Sequence, residues 1–347
     1  MRKLLIVFFA ILLVAAGGGL WLGYQKLIAS DSGKVLGTHN EWPAFWRGRA
    51  LFFAGTNEHL ALVARSDDGS LLVPTLPPDM NPKAAAVSPD GERMIVITEQ
   101  GSQSVYWLFE EAKPPKAIAA LRGDVRGLRF ATDTFVLSTE RRAGESTDHL
   151  LLLDIEKQDL IQVAADSVSA SWVEKPNAVV SVDSHGYFWF HGLQLSGKTD
   201  VPQLLGEAAG NVVSIPGQST VLFLSTEEKD LALKSFNLAT KEQRLIAVLE
   251  GVAAGRATAL HLSPDEQNAA VVLPLSDEQE NGSLIAIDLA TGAQERIPGI
   301  GTDLRWASES EILFERVTAA VSQIWRYSFD DASTSLFFSE PVSAFAS

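Results

Sequence analysis

The stretch Ala84-Ala85-Ala86-Val87-Ser88-Pro89-Asp90-Gly91, followed closely by Met94-Ile95-Val96-Ile97, predicts an apolar strand, a tight turn and a second apolar strand. The turn is favoured because proline presets the first turn position, aspartate can bond the backbone ahead of it, and glycine readily takes a positive φ. Ser263-Pro264-Asp265 repeats this turn later in the chain, with Glu266 where glycine is expected. The two copies indicate that the chain is built from a recurring unit.

The recurring unit consists of four short strands, and it restarts about every 43 residues. Because such a unit cannot bury both faces of its sheet alone, it must pack against its neighbours, and closing the ring of units removes the exposed end faces. The sequence therefore predicts an all-β chain in which residues 42–340 form a single seven-bladed β-propeller, followed by a tail over 341–347. The equivalent first-strand positions are Phe45, Val87, Phe130, Trp172, Ile215, Leu262 and Trp306.

The first 30 residues differ from the rest of the chain. Two basic residues precede the apolar segment Leu4–Leu22, whose length of about 19 residues matches the thickness of a hydrocarbon core. We expect residues 1–30 to form an uncleaved transmembrane signal-anchor helix that leaves the propeller on the periplasmic or extracytoplasmic side, with residues 31–41 as a linker. The alternative is a signal peptide cleaved after Ala16, which would release a soluble secreted protein.

Composition limits the function classes that the chain can serve. It has no cysteine, which excludes disulfides, thiolate metal sites and a cysteine nucleophile. Its net charge is −15, and the predicted anchor contributes only bases, so the exported part is more acidic still. Such a surface repels nucleic acid and anionic membranes. We therefore expect no nucleic-acid partner, and contact with the membrane only through the N-terminal helix.

Three stretches resemble the TolB-like branch of the WD-repeat-like propellers. These are the Ser88–Gly91 turn, its copy at Ser263–Asp265, and the strand and hairpin Leu284-Ile285-Ala286-Ile287-Asp288-Leu289-Ala290-Thr291-Gly292. Blades of that family carry a Ser-Pro-Asp-Gly turn and an Asp-x-x-Thr-Gly hairpin. The resemblance covers residues 42–340 in outline, and it implies the fold and a habit of protein binding. It supplies no catalytic residue.

The sequence carries no motif for nucleophilic catalysis or for a cofactor. It has no G-x-S-x-G elbow, no Walker loop and no dinucleotide fingerprint. The six histidines are scattered, and no pair has the spacing of a helical metal site. We therefore predict no catalytic residue and no cofactor.

The acidic stretch at 277–282 is a degenerate calcium loop. Oxygen-bearing side chains fall at loop positions 1, 3, 5 and 12, which here are Asp277, Gln279, Asn281 and Asp288, with Gly282 at position 6. Gln279 and Asp288 depart from the usual ligands, and an acidic loop with a glycine tip is also ordinary between two strands. Calcium binding and a solvated hairpin loop are therefore both open.

Arginines concentrate on one predicted rim of the propeller, the rim that holds the fourth-to-first and second-to-third strand connections. An arginine-bearing face on an acidic body would favour a partner with carboxylate or phosphate groups. The alternative is local pairing with the acids that neighbour these arginines in sequence. The residues are Arg122, Arg126, Arg141, Arg142, Arg256, Arg305 and Arg316.

Together these features favour an exported, membrane-tethered, non-enzymatic propeller that binds a protein or an envelope component. The alternatives are a propeller enzyme, such as a lactonase or a glycan-acting hydrolase, and a sensor for a small ligand. An enzyme of that kind would need several carboxylates converging on the central channel.

Overall fold

The structure is a computed structural model that describes residues 44–46, 49–55, 60–65, 71–72, 81–110, 113–193, 200–253, 259–273, 283–298, 304–317 and 321–341. Side chains are described from residue 82 onward, except at 253, 298, 305, 315–317, 321–324 and 338–341. The described residues form strands and turns, and no helix occurs among them. None of them therefore belongs to a helix that could span a membrane. The predicted anchor, the linker and the tail beyond Pro341 lie outside the described residues.

Seven four-stranded sheets follow one another along the chain, and we number them as blades one to seven. Blade one contains β1 (Ala44–Trp46), β2 (Arg49–Gly55), β3 (Leu60–Arg65) and β4 (Leu71–Leu72); blade two contains β5 (Asn81–Val87), β6 (Met94–Gln100), β7 (Gln103–Phe109) and β8 (Lys116–Leu121). Blade three contains β9 (Asp124–Phe130), β10 (Phe135–Arg141), β11 (Asp148–Asp154) and β12 (Asp159–Ala164); blade four contains β13 (Ser169–Val173), β14 (Ala178–Val182), β15 (Tyr187–Gly192) and β16 (Gln203–Glu207).

The last three blades repeat the arrangement. Blade five contains β17 (Val212–Ser214), β18 (Thr220–Glu227), β19 (Asp230–Asn237) and β20 (Gln243–Ala253). Blade six contains β21 (Ala259–Leu262), β22 (Asn268–Leu273), β23 (Ser283–Asp288) and β24 (Gln294–Pro298), and blade seven contains β25 (Leu304–Trp306), β26 (Glu311–Val317), β27 (Val321–Ser328) and β28 (Ser333–Pro341).

Within each blade the strands pair antiparallel in chain order. Six of the seven first-strand positions predicted from the repeat lie inside a first strand. Ile215 is the exception, because β17 ends at Ser214 and Ile215 already begins the turn, where its N–H bonds the Thr220 carbonyl. The repeat therefore places the first strand of six blades, and in blade five its position falls one residue beyond the end of the strand.

The Ser-Pro-Asp turn forms the same hydrogen-bond network in blades two and six. The hydroxyl of Ser88 donates to Asp90 and accepts the Arg93 N–H, and Ser263 does the same with Asp265 and Asn268. The fourth residue of the turn takes a positive φ, which is 74° at Gly91. Glu266 takes 62° at the equivalent position, so the departure in sequence leaves the turn geometry unchanged.

A second recurring device closes the hairpin between the third and fourth strands. Asp288 Oδ1 accepts the N–H groups of Ala290 and Thr291 in blade six. Two further blades carry this cap where the sequence motif is not evident. Asn237 caps the Ala239 and Thr240 N–H groups in blade five, and Asp154 caps those of Glu156 and Lys157 in blade three.

Apolar side chains fill the seams between consecutive blades. Each of the five clusters draws its members from two neighbouring sheets: blades two and three, three and four, four and five, five and six, and six and seven. At the seam of blades four and five, for example, Phe188 stacks on Phe223 with ring centroids 5.2 Å apart. Blades three to six therefore each bury both faces of their sheet against neighbouring blades, as the repeat predicts for a β-propeller.

The strands run between two rims. The upper rim carries the fourth-to-first and second-to-third connections, including residues 122–123, 142–147, 165–168 and 183–186. The lower rim carries the other connections, including residues 88–93, 131–134, 174–177 and 238–242. The first strands of blades three to seven lie innermost, around one central cavity.

Candidate functional site

The central cavity has a volume of about 580 Å³ and is lined mainly by the first strands of blades three to seven. Its wall mixes apolar side chains with a small set of polar ones. The described lining residues include no aspartate or glutamate. The polar lining side chains are Arg129, Ser138, Thr139, Ser169, Asn211, Ser214, His261, Ser263 and the indole of Trp306.

A band of polar residues crosses the first strands at one level. The residue just before each repeat position is Arg129 in blade three, Ser171 in blade four, Ser214 in blade five and His261 in blade six; Arg305 holds that register position in blade seven. Ser171 Oγ donates to Ser214 Oγ at 3.0 Å and accepts the Ser214 N–H at 2.9 Å. These bonds join blades four and five at the cavity wall.

The sequence contained the signal for this polar band. The seven-fold alignment identifies the apolar repeat positions, and the band lies one residue earlier in each of five blades. Side chains alternate along a strand, so adjacent positions face different neighbours. The band was missed because the repeat was defined by its apolar positions alone.

The four predicted site arginines with described side chains all lie at the upper rim of blade three. Arg122 is exposed in the connection that enters the blade, and Arg126 pairs with Asp124 across 2.9 Å. Arg141 Nε donates to Asp148 Oδ1 at 2.6 Å, which raises the pKa of the Arg141 guanidinium.

Arg142 is held by two partners. Its Nε lies 3.5 Å from Glu140 Oε2, and its Nη2 donates to Gln162 Oε1 at 3.0 Å. The Arg141 and Arg142 side chains are 41% and 40% exposed, so each guanidinium is fixed by an acid yet still faces solvent. The side chains of Arg256, Arg305 and Arg316 lie outside the described residues, so a face of seven arginines stays a prediction.

Apolar and aromatic side chains are exposed on the same rim of the neighbouring blade four. Val168 is 57% exposed and Tyr187 is 42% exposed, and His185 stacks against the Tyr187 ring. The connection before blade four touches blade three, because the Ser167 N–H donates to the Asp148 carbonyl at 2.9 Å. We call the group Arg141, Arg142, Val168, His185 and Tyr187 the rim patch. Val168 also lines the mouth of the cavity.

Two buried polar groups are structural rather than reactive. Glu140 is 1% exposed at the seam of blades two and three, where its side chain occupies the space that a side chain at Gly123 would need. In blade four, Ser181 Oγ lies 2.8 Å from His191 Nε2, and burial lowers the pKa of His191 to about 4. Both residues of this serine–histidine pair are closed off from solvent, so the pair cannot reach a substrate.

The predicted calcium loop is described only at Asp288, because Asp277, Gln279 and Asn281 lie outside the described residues. The bonds from Thr291 and Ala290 lower the pKa of the Asp288 carboxyl, which here serves as a hairpin cap on the lower rim. Asp288 lies at the end of β23, about 17 Å from Ser283 along the strand at about 3.3 Å per residue. The calcium site stays a prediction. Among the described residues no cluster of three histidine, aspartate or glutamate side chains is suited to a metal.

Comparison with known proteins gives likenesses of structure alone. Neither the protein-family models nor the curated proteins yield a match to the sequence. The chain is similar to TolB from Acinetobacter baumannii, with 14% identity over 82% of this chain and 60% of that one, at a TM-score of 0.50. It is also similar to a 6-phosphogluconolactonase-like protein from Bacteroides uniformis, with 13% identity over 82% of this chain and 94% of that one, at a TM-score of 0.57.

A third likeness is to a prolyl endopeptidase, with 12% identity over 92% of this chain but only 51% of that one, at a TM-score of 0.62. The chain thus spans 60% of TolB and about half of the endopeptidase. Sequence identities this low show a shared fold and do not show a shared activity. The resemblance to TolB-like propellers that the repeats predict is confirmed at the level of the fold, and the chain is a β-propeller.

Proposed function

We propose that this propeller is a non-enzymatic binding module that recognises a protein or an envelope component through its upper rim. The observation that carries the proposal is the rim patch, where half-exposed arginines of blade three share a rim with an exposed valine and tyrosine of blade four. Tyrosine and arginine are enriched in protein interfaces and dominate their binding energy. Asp148 links the two blades here, because it bonds Arg141 through its side chain and the Ser167 N–H through its carbonyl.

The ion pairs at the patch favour binding rather than oppose it. Asp148 and Glu140 fix the guanidinium groups of Arg141 and Arg142, so less side-chain entropy is lost when a partner docks. Their remaining N–H donors suit a carboxylate or a backbone carbonyl. The net charge of −15 repels anionic molecules in general. Binding of a carboxylate therefore depends on the arginines of the rim patch.

A propeller enzyme is the second candidate, because one of the similar structures is a 6-phosphogluconolactonase-like protein. A glycan-acting hydrolase needs two carboxylates about 5–10 Å apart beside its substrate. No carboxylate occurs among the described residues that line the cavity. This lining favours binding over hydrolysis, and a small-ligand sensor remains compatible with it.

We propose further that the seven sheets close into one seven-bladed ring, with blade seven against blade one, and that residues 1–30 tether this ring outside the cytoplasmic membrane. The even repeat supports the closed ring, and the apolar segment after two basic residues supports the tether. N-terminal sequencing of the mature protein tests the tether. A start at Gly17 in the soluble fraction would contradict it.

The binding proposal is tested by quantitative capture of crosslinked partners from the native envelope. We compare the wild type with a rim variant that carries Arg142→Ser, Val168→Ser and Tyr187→Ser. The matched control is Val201→Ser, since Val201 is 85% exposed but lies in the lower-rim connection of blade four. We expect the rim variant to lose the crosslinked partner and the control to retain it. Both variants should stay folded at the temperature of the capture, although the rim variant should melt earlier because Arg142→Ser leaves the buried Glu140 carboxylate without its ion pair.

Recovery of the partner from the wild type should also fall as salt rises, because exposed charges are screened over about 8–10 Å at physiological ionic strength. Equal recovery with the rim variant would refute the rim patch as the binding site. In that case the function would have to be sought in the cavity or on the lower rim.

A further inference from the structure

We propose that the upper rim faces the membrane that tethers the chain, and that the rim patch binds the extracytoplasmic segment of a protein anchored in that same membrane. This inference rests on the tether and on the rim patch of the proposed function. It goes beyond them because it states which way the propeller faces and where its partner is held.

The direction of β1 places the entry of the chain at the upper rim. Strands β1 to β4 pair in chain order, as in the other blades, and β1 and β3 contact β5 of blade two. Each first strand runs from the upper rim to the lower rim, because the fourth-to-first connections lie on the upper rim and the first-to-second connections on the lower one. Strand β1 therefore begins at the upper rim, at Ala44.

A short stretch of chain joins Ala44 to the predicted anchor. Roughly 13 residues, 31–43, lie between them, and a chain of that length spans at most about 45 Å. If the stretch is flexible, its root-mean-square span is about 20 Å. The rims themselves lie about 20–25 Å apart, since strands such as β10 hold 7 residues at about 3.3 Å each. The tether therefore keeps the upper rim closer to the membrane, on average, than the lower rim.

The charge of the upper rim disfavours the lipid surface itself as the ligand. The net charge of the chain is −15, which repels anionic headgroups. Acids also share the upper-rim connections with the arginines, and these are Glu145, Asp166, Asp183 and Glu228.

The rim patch instead has the chemistry of a protein-binding surface. The guanidinium groups of Arg141 and Arg142, each paired with an acid, suit a carboxylate or a backbone carbonyl. The exposed side chains of Val168 and Tyr187 on the same rim suit an apolar side chain of the partner. We therefore expect the partner to present a protein segment that carries both a carboxylate and an apolar residue.

Confinement to one membrane offsets the small size of the rim patch. Its five side chains are far fewer than the about 20–30 residues that each partner contributes to a stable complex. Two proteins held in one membrane meet at a raised effective concentration, so a weak contact is enough to keep them together. A soluble partner lacks this advantage, and it must also enter the space between the rim and the membrane.

Single cysteines test the orientation, because the chain has no cysteine of its own. The full chain is reconstituted in phosphatidylcholine vesicles with rhodamine-labelled headgroups, and each cysteine carries a fluorescein donor. In blade three, Ser146→Cys marks the upper rim and Glu156→Cys the lower rim; in blade five, Lys229→Cys and Ala239→Cys do the same. All four positions are exposed. We expect more energy transfer from the upper-rim position in both blades, with a mean distance to the membrane that is shorter by up to about 20 Å.

Flotation with the vesicles separates two ways in which this test can fail. A chain that does not float has no tether, which contradicts the proposed function as well as this inference. A chain that floats but transfers energy equally from both rims, or more from the lower rim, keeps its tether and overturns this inference alone.

A photocrosslinking amino acid at position 146 tests the class of partner in the native envelope, with position 156 as the lower-rim control. We expect position 146 to crosslink a protein that resists alkaline carbonate and is extracted only by detergent, and Tyr187→Ser to lower the yield. A crosslinked protein that carbonate releases, or an adduct to phospholipid, would overturn the inference. An undiminished yield with Tyr187→Ser would instead contradict the rim patch as the binding site.

Discussion

His191 shows how one buried side chain makes the fold sensitive to acid. Burial lowers its pKa from 6.5 to about 4, so the folded state resists the protonation that the unfolded chain undergoes. The stabilisation is complete above pH 6.5 and is lost as the pH falls from 6.5 towards 4, by a maximum on the order of 3 kcal/mol. We predict that His191→Gln loses less stability than the wild type between pH 7 and pH 4.5. Urea unfolding at the two pH values measures this, and equal losses would show that His191 is not the group responsible.

The two related turns should respond differently to a change at the residue with the positive φ. Gly91 has a φ of 74°, where a residue with a Cβ pays about 1–2 kcal/mol. Gly91→Ala should therefore destabilise the protein by about that amount. Glu266→Gly is the matched change in the copy of this turn in blade six. It relieves backbone strain in the folded state but makes the unfolded chain more flexible, and the two effects nearly cancel. The free energy of unfolding should therefore change by no more than about 1 kcal/mol. Thermal melting compares the two variants, and equal effects would contradict the account of the turn.

At the scale of the element, the capped hairpin is a module that accepts either aspartate or asparagine. Asp154 is buried and caps two N–H groups in blade three, and Asn237 does the same in blade five. We predict that Asp154→Ala costs about 1–2 kcal/mol, because two N–H groups lose their acceptor. Asp154→Asn should cost clearly less. A variant with asparagine that is as unstable as the alanine variant would show that the charge, rather than the cap, stabilises the hairpin.

The elements also show what the sequence could predict. Apolar strands at an even spacing and the Ser-Pro-Asp turns were enough for the four-stranded unit, because they reflect burial and local backbone geometry. The caps at Asp154 and Asn237 were missed, since Gln158 and Lys241 take the positive φ where the motif has glycine. At these turns the hydrogen bonds of the cap outweigh the preference of glutamine and lysine for a negative φ.

The candidate sites were harder to predict because they depend on neighbouring blades. Sequence placed the arginines on one rim, but it could not show that Asp148 reaches both Arg141 and the connection that exposes Val168. Nor could it show that the donor of Trp306 is left without a partner. Such features arise from contacts between residues that are distant in the chain.

At the scale of the whole molecule, the blades form a scaffold that brings loops from different repeats to one rim. The rim patch is assembled from connections in blades three and four, and it borders the mouth of a cavity lined by five blades. The scaffold thus provides two adjacent surfaces of different chemistry. A partner that docks on the rim would cover the cavity mouth at Val168.

Hydrogen–deuterium exchange of the propeller, free and bound to its captured partner, shows whether the partner docks on the upper rim. We expect slowed exchange in the upper-rim connections at 142–147, 165–168 and 183–186 when the partner is bound, because those amides surround the rim patch. The lower-rim connections at 174–177 and 238–242 should exchange at the same rate in both states. Protection confined to the lower rim would show that the partner does not dock on the rim patch.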